Sequence, residues 1–209
     1  MARINSLLEF FSITEKLKST LRYNSLRSGR KESSAEHSWR LALMSFMIAQ
    51  DLKLDISIER VIKLALVHDI AEASAGDIDA VHIAEGSVTK EEKEKLENDA
   101  INQMTDILDG EGKNEIKFLW QEYEDGDTQE AKYIKALDKI ETLLQLTETG
   151  HKIFDKPQFI ANYADKSIEN FPKLKEYLVE IKKRLKIEFE KGGIEWRDEY
   201  NYTPLNNEQ

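Results

Sequence analysis

An all-α fold is what this sequence predicts, on three observations. Apolar residues recur at three- and four-residue spacing along most of the chain, the period of a helix with one buried face. Helix-breaking residues are few, three Pro and nine Gly among 209, while Glu, Lys, Leu, Ile and Ala fill the long segments between them. Two Ser/Thr-x-x-Glu sequences, Ser33 to Glu36 and Thr89 to Glu92, stand where a helix start needs a side-chain cap.

The elements follow in order. The N-terminal run MARINSLLEFFSITEKLKS is interrupted by Glu9 and does not read as a signal peptide. Ser33 opens a long apolar helix to about Lys53, and Ser57 caps the next. That second helix carries LALVHDIAEASAGDI and is expected to end near Gly76, a residue suited to the left-handed position past a helix. Thr89 opens a charged amphipathic helix to about Leu108, and further helices are expected over 112–125, 129–148, 157–169 and 173–191. The helices begun by Ser33 and Ser57 are the most apolar and should form the central pair. In 129–148, Ile134, Leu137, Ile140 and Leu144 should face inward. One domain over 1–195 is expected, with 196–209 as a tail that frays.

Bulk composition narrows the function. A net charge of −10 opposes nonspecific binding to nucleic acid, which rests on neutralising phosphates. It leaves room for a small phosphorylated ligand, because one metal ion and one or two Arg reverse a local field. Cys is absent, so thiolate metal sites, disulfides and Cys nucleophiles are excluded, which fits a cytoplasmic protein. The longest uncharged stretch, Leu41 to Gln50, falls far short of the roughly 20 residues that span a bilayer. A soluble cytoplasmic chain is expected.

Four polar residues sit on segments otherwise fit for a core: His37, His68, Asp69 and Asp138. Taken singly, a His at a helix start is more often structural than a ligand, and an Asp in a helix usually faces solvent. Together they change the reading, since imidazole nitrogen with carboxylate oxygen suits divalent ions such as Co, Mn, Fe, Ni or Zn, with Mg also in range. Such a set leaves coordination positions open for water and substrate. Glu141 shares a helix face with Asp138 and is a candidate to support a ligand. Arg27, Arg30 and Lys31 either steer a phosphate or belong to a solvated loop. Glu36 completes a cap, His82 and His151 read as surface or structural residues, and Trp39, Trp120 and Trp196 as core or interface anchors.

His37, then His68-Asp69, then Asp138 has the order and rough spacing of the HD-domain phosphohydrolases, and the chain resembles that all-α, metal-dependent superfamily. RSGRKESSAEHSWRLALM, LVHDIAEASAGDI and AKYIKALDKIE look like its 5′-deoxynucleotidase branch. The resemblance implies an HD-domain helical bundle over 1–195, with its core motifs in 20–150, C-terminal helices over 157–191 and the metal site between central helices. It implies His37, His68, Asp69 and Asp138 as metal ligands and Glu72 as the group assisting the attacking water. It further implies Arg22 on the substrate phosphate, Asp77 on the deoxyribose hydroxyl, and Tyr23 beside the sugar where the bacterial enzyme has Trp. Some relatives instead place Glu72 and Asp77 around a second metal. The activity implied is release of phosphate from deoxynucleoside 5′-monophosphates by a metal-bound water, in a homodimer acting on a small nucleotide, with no nucleic-acid or membrane partner. Two alternatives keep the fold: hydrolysis of a cyclic nucleotide, a triphosphate or an alarmone, and a noncatalytic nucleotide-binding module. The intact set of His37, His68, Asp69, Asp138, Glu72 and Arg22 argues against the latter.

Overall fold

A computed structural model describes residues 2–78, 83 and 85–202; His82 lies outside the described residues. The architecture is helical, as expected, with one small hairpin. Helix α1 covers Ala2–Thr14, followed by a 3₁₀ turn, and the strands β1 (Leu21–Ser25) and β2 (Lys31–Ser33) pair antiparallel. Then come α2 (Ser34–Asp51), α3 (Ile58–Val67), α4 (Glu72–Ala75), α5 (Lys90–Asp106), α6 (Glu111–Asp125) and α7 (Gln129–Thr149). The C-terminal part holds α8 (Pro157–Asn162), α9 (Asp165–Asn170) and α10 (Lys175–Lys191).

Helices α2 and α3 pack together, but the hub is α7, against which α2, α3, α6, α9 and α10 all lie. Its Ile134, Leu137, Ile140 and Leu143 are fully buried, so the inward stripe passes through Leu143, and Leu144 is only partly covered. The α10 stripe of Leu178, Ile181, Leu185 and Phe189 is also core.

Both capping boxes form. The Ser33 hydroxyl accepts the Glu36 amide while the Glu36 carboxylate accepts the Ser33 amide at 2.9 Å, worth about 1 kcal/mol. The box fixes the phase of α2, so that His37, one residue later, turns inward and is fully buried. Arg30 adds a bidentate pair to Glu36 at 2.6 and 3.0 Å.

The segment expected as one helix to Gly76 divides. α3 stops at Val67, and the amides of Ile70, Glu72 and Ala73 bond three residues back, to Val67, Asp69 and Ile70. This tighter 3₁₀ winding eclipses positions i and i+3, so Asp69 and Glu72 stand side by side. Gly76 then ends the segment at φ 79°, as its conformational freedom allows.

Three more features depart from expectation. The hairpin had no apolar alternation to reveal it, since its buried residues are the polar Asn24, Ser25, Glu32 and Ser33. The span 157–169 breaks into α8 and α9 around Tyr163 and Ala164. The supposed tail is packed at its start: Tyr200 is buried against Phe189 and Trp196, and its carbonyl accepts the Lys182 ammonium at 2.8 Å. Residues 203–209 lie outside the described part. Among the described residues, no helix is long and apolar enough to cross a membrane.

Candidate metal centre

His37 comes from the first turn of α2, His68 and Asp69 from the end of α3, and Asp138 from the middle of α7. Their side chains converge. His68 Nε2 lies 3.0 Å from Asp69 Oδ2, and His37 Nε2 lies 3.1 Å from Asp138 Oδ1 and 3.9 Å from Asp69 Oδ2. The two imidazoles meet edge to face with centroids 5.3 Å apart.

The other ring nitrogens are held from behind. His68 Nδ1 is 2.9 Å from the Ala65 carbonyl, and His37 Nδ1 is 2.5 Å from Glu141 Oε2. These acceptors place a proton on each Nδ1 and direct each Nε2 into the nest, where both Nε2 atoms are buried without a hydrogen bond. Buried polar atoms are rarely left so. Two orphaned nitrogens facing two carboxylates fit a divalent cation of intermediate hardness, and the His37, His68 and Asp69 donor atoms lie within 4.8 Å of one another.

The electrostatics keep both carboxylates ionised. Burial works against ionising Asp69, yet His68, Arg22 and His37 hold its carboxyl well below the usual range. Burial likewise opposes ionisation of Asp138, and Lys139 with His37 and His68 drives its carboxyl well below that range. Burial and Arg22 oppose a proton on His37, but Glu141 and Asp138 push it up to about 10.

Each of these two carboxylates also carries one parked cation. Arg22 Nη1 donates to Asp69 Oδ2 at 2.9 Å, and Lys139 Nζ donates to Asp138 Oδ2 at 2.9 Å. Arg22 reaches the nest because β1 is pinned to α7: Asn24 donates to the Thr142 carbonyl at 3.3 Å, and Gln145 donates to that of Ser25 at 2.7 Å. Glu72 is buried, and its Oε2 accepts the Ser34 hydroxyl at 2.6 Å. Burial, Asp69 and Asp77 push its carboxyl well above the ordinary glutamate value.

A cavity of about 320 Å³ opens from the nest, with Arg22, Tyr23, Glu72, Asp77, Tyr123, Lys139 and Tyr163 among its lining residues, a size suited to a small ligand. The Tyr23 hydroxyl donates to the Ile153 carbonyl at 3.1 Å and also bonds Asp155, so its polar end is engaged away from the metal nest.

All eight residues singled out in the sequence thus gather at one nest or on its wall. Glu141, a candidate to support a ligand, lies 2.5 Å from His37 Nδ1. Ser34, Glu32, Tyr123 and Lys139 were not foreseen; Ser34 had a signal only as the small residue after a cap. Arg27, Arg30 and Lys31 do not line the cavity: Arg30 holds Glu36, Lys31 donates to the Tyr23 carbonyl, and Arg27 lies 3.7 Å from Glu148. His151 sits 3.7 Å from Glu188, far from the nest in role. Trp120 is core, Trp196 packs on Phe189, and Trp39 is 64% exposed.

Comparison with known proteins gives the family. The HD domain family model matches residues 14–175. A Dictyostelium discoideum protein named 5′-deoxynucleotidase HDDC2 is 40% identical over 153 residues, covering 69% of this chain and 78% of that protein. The human protein of the same name is 34% identical over 170 residues, 79% and 78% of the two chains. The crystal structure of a predicted metal-dependent phosphohydrolase from Magnetospirillum magnetotacticum is similar at TM-score 0.76 and 29% identity, over 92% of this chain and 96% of that one. A family model spanning most of the sequence, and relatives this similar, show that the chain belongs to the HD domain family.

Proposed function

We propose that this protein is a metal-dependent 5′-deoxynucleotidase that converts deoxynucleoside 5′-monophosphate and water to deoxynucleoside and phosphate. The observation that carries the reading is the pair of orphaned Nε2 atoms facing Asp69 and Asp138 at the base of a cavity that also presents Arg22. The names of the relatives supply the substrate class.

His37, His68, Asp69 and Asp138 are the ligands in this reading, for Co, Mn or a similar ion, with Mg, Fe, Ni and Zn in the same range of donor chemistry. The bound ion supplies Lewis acidity that acidifies water and polarises a phosphoryl oxygen. The protein supplies the rest. Arg22 offers a planar fork to the phosphate oxygens, and it already lies 2.9 Å from a ligand carboxylate. Glu72 stands beside Asp69 on the 3₁₀ turn; with Oε2 held by Ser34, its Oε1 is free to exchange a proton with the attacking water. Asp77 and Tyr23 form the sugar wall, Asp77 through its carboxylate and Tyr23 through its ring. In the alternative arrangement, the carboxylates of Glu72 and Asp77 would instead hold a second, weaker ion.

One HD domain runs through residue 195 and takes in the packed segment beyond it. We place the protein in the cytoplasm, free of nucleic-acid and membrane partners, consistent with its charge and lack of Cys. A homodimer fits the exposed row Trp39, Leu43 and Met47 on one face of α2, since the apolar stripe of α10 is already core. Light scattering should find a dimer that Trp39→Glu dissociates; a monomeric parent protein rejects this assembly.

The test of function is phosphate release from matched deoxy and ribo 5′-monophosphates, using metal-stripped protein resupplied with Co, Mn or Mg. Release favouring the deoxy series is expected. Glu72→Gln should lower kcat by about 10²–10⁴ with little change in metal affinity. No release from any monophosphate by metal-loaded protein rejects the reading.

A further inference from the structure

Behind His37, on the side away from the cavity, lies a ladder of charges joining α2 to α7. Glu141 Oε2 is 2.5 Å from His37 Nδ1, and both side chains are fully buried. One turn further on, Arg40 Nε stands 3.6 Å from Glu141 Oε1, while its Nη1 donates to Gln145 at 2.7 Å and to Glu148 at 2.9 Å. From the hairpin, the buried Glu32 adds a second carboxylate beside Glu141 and His37, with Arg22 Nε 3.8 Å from its Oε2. Glu141 Oε1 and Glu32 Oε2 are buried without hydrogen bonds.

Such a cluster is costly to bury, because each desolvated carboxylate needs compensation. Hydrophobic residues at 32 and 141 would close the α2–α7 contact at lower cost. What they could not do is accept the Nδ1 proton of His37, and that acceptor determines which ring nitrogen faces Asp69 and Asp138. His68 solves the same problem with a neutral backbone carbonyl. The two imidazoles are therefore unequal: one backed by a dipole, the other by a full negative charge.

We propose that Glu141 is a positioning residue of the metal centre, whose buried charge holds His37 with Nε2 toward the ion and raises its strength as a donor. Carboxylate–imidazole–metal chains of this kind typically contribute 10–100-fold to metal affinity. Glu141 does not line the cavity. This inference rests on the reading that the nest holds a divalent ion, and its test separates the two.

The experiment is calorimetric titration of Mn²⁺ into metal-stripped protein, with thermal unfolding of each stripped variant as the measure of fold. Glu141→Gln keeps the shape and a carbonyl acceptor but deletes the charge. It should raise the Mn²⁺ Kd 10–100-fold, while the stripped protein still unfolds in one cooperative transition, at a lower temperature because the buried contact with His37 has lost its charge. Glu141→Asp, keeping the charge, should recover part of the affinity. Arg40→Met removes the outer rung and leaves the Glu141–His37 contact, so its Kd should stay within threefold of the parent. A Glu141→Gln Kd within threefold of the parent overturns the proposal. So does an Arg40→Met loss as large as that of Glu141→Gln, which would assign the effect to helix packing. A parent protein that binds no Mn²⁺, Co²⁺ or Mg²⁺ rejects the metal reading itself, and this inference with it.

Discussion

Replacing Asp69 by Ala separates the two things this carboxylate does. Asp69 pairs with Arg22 at 2.9 Å and His68 at 3.0 Å, with its side chain only 16% exposed. Breaking a buried pair by deleting one partner costs about 3–5 kcal/mol; the partial exposure argues for the lower end, about 3 kcal/mol. For a chain of this size each kcal/mol moves Tm by about 2–4 °C, so the stripped variant should unfold about 6–12 °C below the parent. The second effect concerns the ion. At a Mn²⁺ concentration 100 times Kd, binding stabilises the parent by about 2.7 kcal/mol, a rise of about 5–11 °C. Without Asp69 the nest loses the carboxylate that lies within 4 Å of both imidazole Nε2 atoms, at 3.0 and 3.9 Å, and this rise should fall to 2 °C or less at the same concentration. Differential scanning calorimetry with and without Mn²⁺ reads both quantities. An unchanged metal-induced rise in Asp69→Ala refutes the reasoning, whatever happens to the stripped protein.

Other predictions concern neighbouring groups. Arg22→Lys keeps a positive charge near Asp69 but loses the fork, and kcat/KM for a deoxynucleoside monophosphate should drop about 10²-fold; parent-like turnover would remove Arg22 from the phosphate. Glu97, on the cavity wall, has its carboxyl raised to about 7 by burial, with Lys93 opposing. The ordinary glutamate value is about 4.3, so between about pH 4.3 and 7 the unfolded chain gives up this proton first. Its ionisation therefore erodes stability as pH rises through that window, and the cost is complete above about pH 7. Glu97→Gln should thus raise the Tm of the stripped protein by several degrees at pH 8 and hardly at all at pH 5; equal shifts at both values contradict the assignment. Tyr133→Phe removes a buried hydrogen bond of 2.7 Å to the Ser45 carbonyl and should cost about 1–2 kcal/mol in chemical denaturation with no change in metal affinity.

Much of the site was legible because its ligands interrupt strong local patterns. His68-Asp69 ends a run of Leu and Ala, and Asp138 sits in a helix whose neighbours are fully buried. The capping box set the phase of α2, so the inward direction of His37 followed from Ser33 and Glu36. The hairpin was hidden for the opposite reason. Asn24, Ser25 and Glu32 are buried through hydrogen bonds and charge, not apolar area, and such pairing leaves no period-two signal. The 3₁₀ winding from Val67 to Ala73 was likewise invisible, since apolar spacing does not distinguish three residues per turn from 3.6 over one turn. It alters the chemistry, because it brings Glu72 beside Asp69 instead of one α-turn beyond His68. Glu141 shared a face with Asp138 in sequence, yet only the crossing of α2 over α7 brings it to His37. Contacts between residues 104 apart depend on how the helices cross, which spacing within one helix does not encode.

The most direct test of the account is anomalous diffraction from crystals soaked in Mn²⁺. The account predicts one strong peak about 2.0–2.3 Å from His37 Nε2, His68 Nε2, Asp69 and Asp138, with Glu141 still bonded to His37 Nδ1. A strong peak elsewhere, or none at this nest in crystals whose protein binds Mn²⁺ in solution, would contradict it.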